Sequence, residues 1–167
     1  YDNSAAEPSK STDKINNWLS PAEMKELILY AAAKGVDIVP SINMPGHMAA
    51  ILQGSGDERI SAFGKTFWSQ SDSNESLDMG NVEAVNFALA LLDAYCSYFH
   101  GITDADGNPL VKYFSIAADE YGQDLEHFAW GGSGFGTAYM NANGEYGNLV
   151  QFLNRAGNVI KSYGMTP

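Results

Sequence analysis

An α/β fold built on parallel strands is predicted by three features of this 167-residue chain. A proline-capped amphipathic helix gives way, after one glycine, to a nearly continuous apolar and β-branched run at residues 36–42. A second apolar run, at 110–117, follows a long helix with a wide apolar face. That second run ends abruptly in two adjacent carboxylates, Asp119 and Glu120. Continuous apolar strands alternating with helices suit a parallel sheet covered on both faces. About two such units fit either a doubly wound sheet or part of a (β/α) barrel.

Taken in order, residues 1–17 are rich in Ser, Asn, Asp and Lys without periodicity, and read as a leading loop. Residues 18–167 form the βα units of a single unit. Ser20-Pro21-Ala22-Glu23 supplies an N-cap, a proline in the first helical position and a capping-box glutamate. Leu27, Ile28 and Ala31 continue at helical spacing, and Gly35 ends the helix. The strand at 36–42 runs into Asn43-Met-Pro-Gly-His47, a Pro-Gly turn that delivers a histidine near the strand's C-terminal end. Residues 48–53 read as a short helix. Residues 54–80 read as a long polar loop anchored by Phe63, Phe67 and Trp68.

Gly80 or Asn81 caps the next helix, whose apolar face is read as Val82, Val85, Phe87, Ala88, Leu91, Leu92, Tyr95 and Phe99. Gly101 closes it, and residues 103–109 form a turn into the second strand. A glycine- and aromatic-rich loop over 131–146 precedes a last helix from about 148 to 163. The chain reaches Pro167 where another strand is expected.

Composition excludes several classes. Nine Lys and Arg against twenty Asp and Glu give a formal charge of −11, which repels phosphate backbones and anionic lipid alike, so nucleic acid is not an expected partner. The lone Cys96 cannot form an internal disulfide, and its helical apolar neighbours suggest a buried thiol. No segment approaches the ~18 uninterrupted apolar residues of a membrane span. The N-terminus lacks a basic-then-apolar leader. The expectation is a cytosolic chain or an excised piece of something larger.

In either α/β architecture ligands bind at the carboxyl ends of strands, where His47, Asp119 and Glu120 lie. Adjacent residues at a strand end point in different directions, so the two acids can serve one site in two roles. The competing reading is an acid at a helix N-terminus interacting with the dipole. His47 at a neighbouring strand mouth could tune a carboxylate's proton affinity, or could be an ordinary hydrogen-bonding histidine. His100 and His127 have weaker claims, and no His-x-x-x-His spacing supports zinc. Asp104 to Asn108 matches a calcium loop poorly, because the twelfth position of its frame is Ser115, and a tight turn is preferred. The glycine run at 132–136 misses the dinucleotide spacing. Trp68, Trp130 and Tyr121 could stack on a sugar face, with core or loop packing the default.

Three segments together resemble glycoside hydrolase family 20, the β-N-acetylhexosaminidases. They are Leu19-Ser-Pro-Ala-Glu-Met24, Asp37-Ile-Val-Pro-Ser-Ile-Asn-Met-Pro-Gly-His47 and Phe114-Ser-Ile-Ala-Ala-Asp-Glu120. Asn43, where most of the family has Asp, gives the likeness a streptococcal, cell-surface cast. The resemblance implies a partial (β/α)8 TIM barrel and a retaining mechanism in which the substrate's 2-acetamido oxygen attacks the anomeric carbon. Glu120 would then be the general acid/base, and Asp119 would orient the acetamido group and stabilise the oxazolinium ion. His47, Asn43 and Tyr121 would bind or support.

The same resemblance implies N-acetylhexosamine-containing glycans as partners, no metal or organic cofactor, and an extracellular or cell-wall-anchored parent protein. Ala117-Ala118 stands where the family has Gly-Gly. The family's barrel needs eight strands, so a chain holding about two βα units is expected to be inactive alone. Exposed strand edges predict self-association. Two other classes remain open: a non-catalytic sugar-binding or structural module, and a flavodoxin-like domain with an acidic metal site.

Overall fold

A computed structural model describes residues 19–65, 76–118, 121 and 145–167. The expectations for the leading loop, Phe67, Trp68, Asp119, Glu120, His127, Trp130 and the glycine run at 132–136 lie outside the described residues.

Helix α1, Pro21–Ala33, begins as its sequence requires. The Ser20 hydroxyl accepts the Glu23 N–H at 3.3 Å, and the Glu23 carboxylate accepts the Ser20 N–H at 2.7 Å. This closes a capping box over two otherwise orphaned donors. Gly35, at φ +72°, turns the chain out of the helix in a conformation costly for a residue with a Cβ. The buried face carries Ile28 and Ala31. Leu27, expected inward, is exposed instead, because Met24, Ile28 and Ala31 already define the i, i+4, i+7 stripe and Leu27 lies beside it.

The two expected strands are extended segments at 36–44 and 111–116, joined by an isolated parallel bridge between Ser41 and Ser115, the second ending before Ala117, which was expected to belong to it but has φ +55°. The Ile42 N–H donates to the Ser115 carbonyl at 3.0 Å, and the Ser115 N–H to that of Pro40 at 2.9 Å. A third segment, 165–167, extends the parallel pairing on the far edge, where Thr166 bridges Tyr113. The Thr166 N–H donates to the Lys112 carbonyl at 2.8 Å, and the Phe114 N–H to the Thr166 carbonyl at 3.0 Å. Consecutive parallel segments therefore lie side by side, each pair separated in sequence by helix.

The expectation of a strand covered on both faces is corrected. Along the first segment Pro40 and Met44 are buried and Ile38 and Ile42 half-buried, whereas Val39, Ser41 and Asn43, which alternate with them, are exposed; Val36, at the start of the segment, is exposed as well. One face packs on helices. The opposite face is the one that the remaining strands of a closed barrel would cover with layered side chains.

The stretch expected to be loop, 54–80, holds more structure than its polar composition suggests. After α2, Ala49–Leu52, come α3, Glu58–Ser61, and an antiparallel pair, β1 at Gly64–Lys65 and β2 at Ser76–Leu77. Gly54 is required where it stands: a Cβ there would sit 2.2 Å from the Ala50 carbonyl oxygen.

Helix α4, Val82–His100, is capped by Asn81, whose side-chain oxygen accepts the N–H groups of Glu83 at 2.9 Å and Ala84 at 3.3 Å. Its buried stripe is Ala84, Val85, Ala88, Leu89, Leu92, Cys96 and Phe99. Val82 and Tyr95, read as part of that face, are exposed. Helix α5, Glu145–Ser162, starts three residues before the expected 148, inside the stretch read as loop. It buries Phe152, Ala156 and Ile160, and it is tied to α4 by Tyr163 Oη donating to Asp93 Oδ1 at 2.9 Å and Arg155 Nη2 to Asn86 Oδ1 at 3.0 Å. Phe99 meets Phe114 edge-on at 5.9 Å, joining α4 to the second extended segment.

The turn at 103–109 is the tight one expected. Asp104 Oδ1 accepts the N–H groups of Asp106 and Asn108 at 2.9 and 2.8 Å, so that carboxylate holds the turn itself, and hydrogen bonds from the Asn108 side-chain amide first, and from the backbone N–H groups next, lower its pKa.

Candidate active site

The Pro-Gly-His turn is built on two buried methionines. Met44 and Met48 are both fully buried, and they bracket a turn in which Pro45 and Gly46 are buried while His47 is exposed. His47 adopts φ +51°, a left-handed conformation in which histidine is among the better tolerated residues. The turn is held from above by β2, where the Leu77 N–H donates to the Pro45 carbonyl at 2.8 Å.

The strand that leads to the acid pair is fastened to the same place. The Met44 N–H donates to the Ile116 carbonyl at 3.2 Å, so the two segments meet at their carboxyl ends. His47 follows Met44 by three residues and Asp119 follows Ile116 by three. Ala118 is the last described residue before the acids. Ala117 and Ala118 both occupy the left-handed region, at φ +55° and +57°. Their turn is fixed by Ala117 N–H donating to Ser115 Oγ at 3.1 Å and Ala118 N–H to the Ile116 carbonyl at 2.6 Å.

The structure thus brings together the approaches to His47 and to the acids. Asn43 is exposed on the same face as Val39 and Ser41, where alternation along the strand puts it. Tyr121 is 1% exposed and belongs to the core, so its ring is not open to stack on a sugar and the core-packing reading holds. His100 sits at the far end of α4, its ring 5.7 Å from that of Tyr163. Among the described residues, no group of three or more His, Cys, Asp or Glu side chains could hold a metal ion.

Two supports went unread in the sequence. Ser115 looked like an ordinary strand residue, though a hydroxyl two positions before an Ala-Ala step is placed to accept a turn N–H. Leu77 was hidden in what read as loop, though its burial is complete.

Parallel segments joined by helices, with the histidine turn and the segment that leads to the acids meeting at their carboxyl ends, define part of a (β/α)-barrel domain. The family described as glycosyl hydrolase family 20, catalytic domain, matches residues 2–167, and the chain belongs to that family. It is similar to a lacto-N-biosidase of Bifidobacterium bifidum, at 31% identity over 113 residues, covering 66% of this chain and 9% of that one. Among solved structures it is similar to a catalytic module of the pneumococcal exo-β-D-N-acetylglucosaminidase StrH, with a TM-score of 0.69 and 31% identity, over 88% of this chain and 32% of that one. It also shares its fold with dispersin B, with a TM-score of 0.57 and 20% identity, over 89% of this chain and 35% of that one. The architecture is therefore a partial (β/α)8 barrel, which decides against the doubly wound alternative. The chain spans about a third of the solved structures it resembles and under a tenth of the curated relative.

Proposed function

We propose that the chain carries the acid pair and its supports from a β-N-acetylhexosaminidase, which removes terminal β-linked N-acetylglucosamine or N-acetylgalactosamine from glycans. The observation that carries this reading is the Met44–Ile116 hydrogen bond, because it puts the His47 turn and the run into Asp119-Glu120 at one strand end within a family 20 domain.

In this reading Glu120 protonates the glycosidic oxygen as the bond to the leaving group breaks. The substrate's acetamido oxygen closes onto the anomeric carbon from the opposite face, giving an oxazolinium ion. Asp119 accepts the acetamido N–H, which aims that oxygen and offsets the positive charge that develops. Glu120, now ionised, takes a proton from the water that reopens the ring, so configuration is retained over two displacements. His47 hydrogen-bonds near Glu120 and adjusts its proton affinity, while Asn43 and Tyr121 support substrate and site. No cofactor enters any step.

The parent protein in this reading is bacterial and works outside the cell, secreted or anchored in the wall. The chain by itself is inactive, since three parallel segments do not enclose a sugar. A non-catalytic sugar-binding module that keeps a barrel-derived fold is the second reading.

A chromogenic N-acetyl-β-glucosaminide decides between them. Turnover by the chain alone, abolished in Glu120→Gln, would overturn its inactivity alone. If the whole barrel turns over and Glu120→Gln leaves the rate unchanged, the assignment of Glu120 fails. Saturable binding of N-acetylglucosamine that ignores Asp119→Asn supports the second reading.

A further inference from the structure

The segment that follows the His47 turn shapes a concavity with the start of α4. A cleft of about 580 Å³ opens between α3 and the N-terminal turn of α4, lined by Asp57, Arg59, Ile60, Phe63, Asn81 and Glu83. That volume lies in the ordinary range for small-ligand clefts. Its wall is attached to the candidate active site by a short relay: the Phe63 carbonyl accepts the Asp78 N–H at 2.9 Å, and the neighbouring Leu77 N–H donates to Pro45 at 2.8 Å.

The polar side of the cleft is preorganised. Asp57 caps α3 by accepting the Arg59 N–H at 2.9 Å, and the same carboxylate grips the guanidinium through Nε at 3.1 Å and Nη2 at 2.7 Å. The two bonds fix the guanidinium of a side chain that is 87% exposed against the Asp57 carboxylate. Hydrogen bonds from Arg59 keep the Asp57 carboxyl down at about 2, so the pair stays ionised across the working range. The apolar side is Ile60 and Phe63, the latter braced at 5.5 Å by Phe87.

Fixed donors beside fixed acceptors over an apolar wall are the elements of sugar recognition: vicinal hydroxyls need both kinds of partner, and a pyranose face or an acetamido methyl needs an apolar surface. Charge narrows the class further. Two carboxylates, Asp57 and Glu83, line the cleft with one guanidinium, in a chain of formal charge −11. Sialylated or sulfated chains would be repelled.

We propose that this cleft is an outer subsite for an uncharged sugar residue of the same glycan whose terminal N-acetylhexosamine enters the site at His47 and the acid pair. The inference rests on the glycosidase reading and adds a selection for neutral, extended glycans.

Amide NMR titration of the isotopically labelled chain tests it, with N-acetylglucosamine, its β-1,4-linked tetramer and a sialylated lactosamine as probes. The tetramer is expected to shift Arg59, Phe63 and Glu83 amides and to bind about fivefold more tightly than the monomer, a modest change on the affinity scale. The sialylated probe should leave those amides unmoved. Arg59→Ala, at an exposed position, should remove the gain for the tetramer while monomer binding stays the same. Glu83→Gln, an exposed isostere, should admit the sialylated probe. Tetramer shifts confined to Asn43, His47 and Tyr121 would overturn the outer subsite and leave the glycosidase reading standing. Absence of tetramer shifts at Arg59, Phe63 and Glu83 would likewise overturn the outer subsite, whereas the glycosidase reading is tested separately by Glu120→Gln in the whole barrel.

Discussion

Met44 is bonded one residue out of step with Ser41. A parallel ladder that begins with the Ser41–Ser115 bridge should next send the Met44 N–H to the carbonyl of residue 117, yet it reaches Ile116, at 3.2 Å. The slip has a local cause. Ala117 and Ala118 leave the β region for φ +55° and +57°, which pulls their peptide groups off the ladder just before the acid pair.

That excursion predicts an unusual stabilisation. The left-handed region costs a residue with a Cβ roughly 1–2 kcal/mol, and the flexibility of an unfolded glycine returns part of that, roughly 0.5–1 kcal/mol. Ala117→Gly and Ala118→Gly are each expected to raise unfolding free energy by about 0.5–1 kcal/mol, read from urea midpoints at unchanged slope. Ala117→Val should lower it, since β-branching is hardest to accommodate there. Glycine variants less stable than the parent chain would show that the turn is not strained.

The cap of α1 gives a second expectation. Ser20→Ala removes the acceptor for the Glu23 N–H and should cost about 1 kcal/mol of stability. The same box makes α1 sensitive to acid. Hydrogen bonds from the Ser20 hydroxyl and N–H lower the Glu23 pKa, and those from Arg59 bring Asp57 down to about 2. Groups with depressed folded pKa values contribute stability above their ordinary values, near pH 4, and lose it as pH falls toward the folded ones. Thermal midpoints should therefore drop between about pH 4.5 and pH 2, and less steeply in a Glu23→Gln, Asp57→Asn double variant. Equal slopes for the parent chain and the double variant would assign the acid sensitivity elsewhere.

How much of this was legible in the sequence depended on whether local chemistry or distant chain decides each feature. The α1 and α4 caps could be read because Ser20-Pro21-Ala22-Glu23 and Asn81 satisfy helix-end donors within three residues. The Pro-Gly-His turn and the second strand were legible for the same local reason. Leu27, Val82 and Tyr95 were misread as core because apolarity alone does not say which flank of a helix meets another element. Val39 was misread because both-face burial depends on strands elsewhere in the barrel. The hairpin of β1 and β2 was missed because two-residue strands have no period to detect, and their pairing spans the stretch between Lys65 and Ser76. In the candidate site, the turn at His47 was foreseen, but not its anchoring to Leu77 or the part played by Ser115.

Cys96 offers a chemical check on the core. Its side chain is fully buried against the interior side of α4, and burial, reinforced by the nearby Asp93 charge, pushes its thiol up to about 11. Only the thiolate reacts with disulfide reagents. The folded chain should therefore resist such a reagent at pH 8 and react at once in denaturant. Cys96→Ser should cost about 1–3 kcal/mol, the usual penalty for a hydroxyl buried without a compensating partner. Rapid labelling of the folded chain would place Cys96 nearer the surface than the structure has it.

The bare sheet face makes the final prediction. Val39 and Tyr113 are 51% and 46% exposed, and they lie on paired parallel segments, on the face of the bridged residues Ser41 and Ser115. Large single apolar residues on a surface are ordinary, but a cluster on a sheet invites a partner. Among the described residues, segment 36–44 pairs through backbone with one neighbour, the segment at 115–116, so one edge also presents peptide groups. The charge of −11 opposes association at low salt and is screened beyond about 10 Å at 0.1 M. Sedimentation should show a monomer at low ionic strength that becomes a concentration-dependent oligomer as salt is raised. Val39→Lys, which places a charge on the exposed face without touching the packed one, should restore the monomer. A chain that stays monomeric at high protein and high salt would mean that this face does not self-associate.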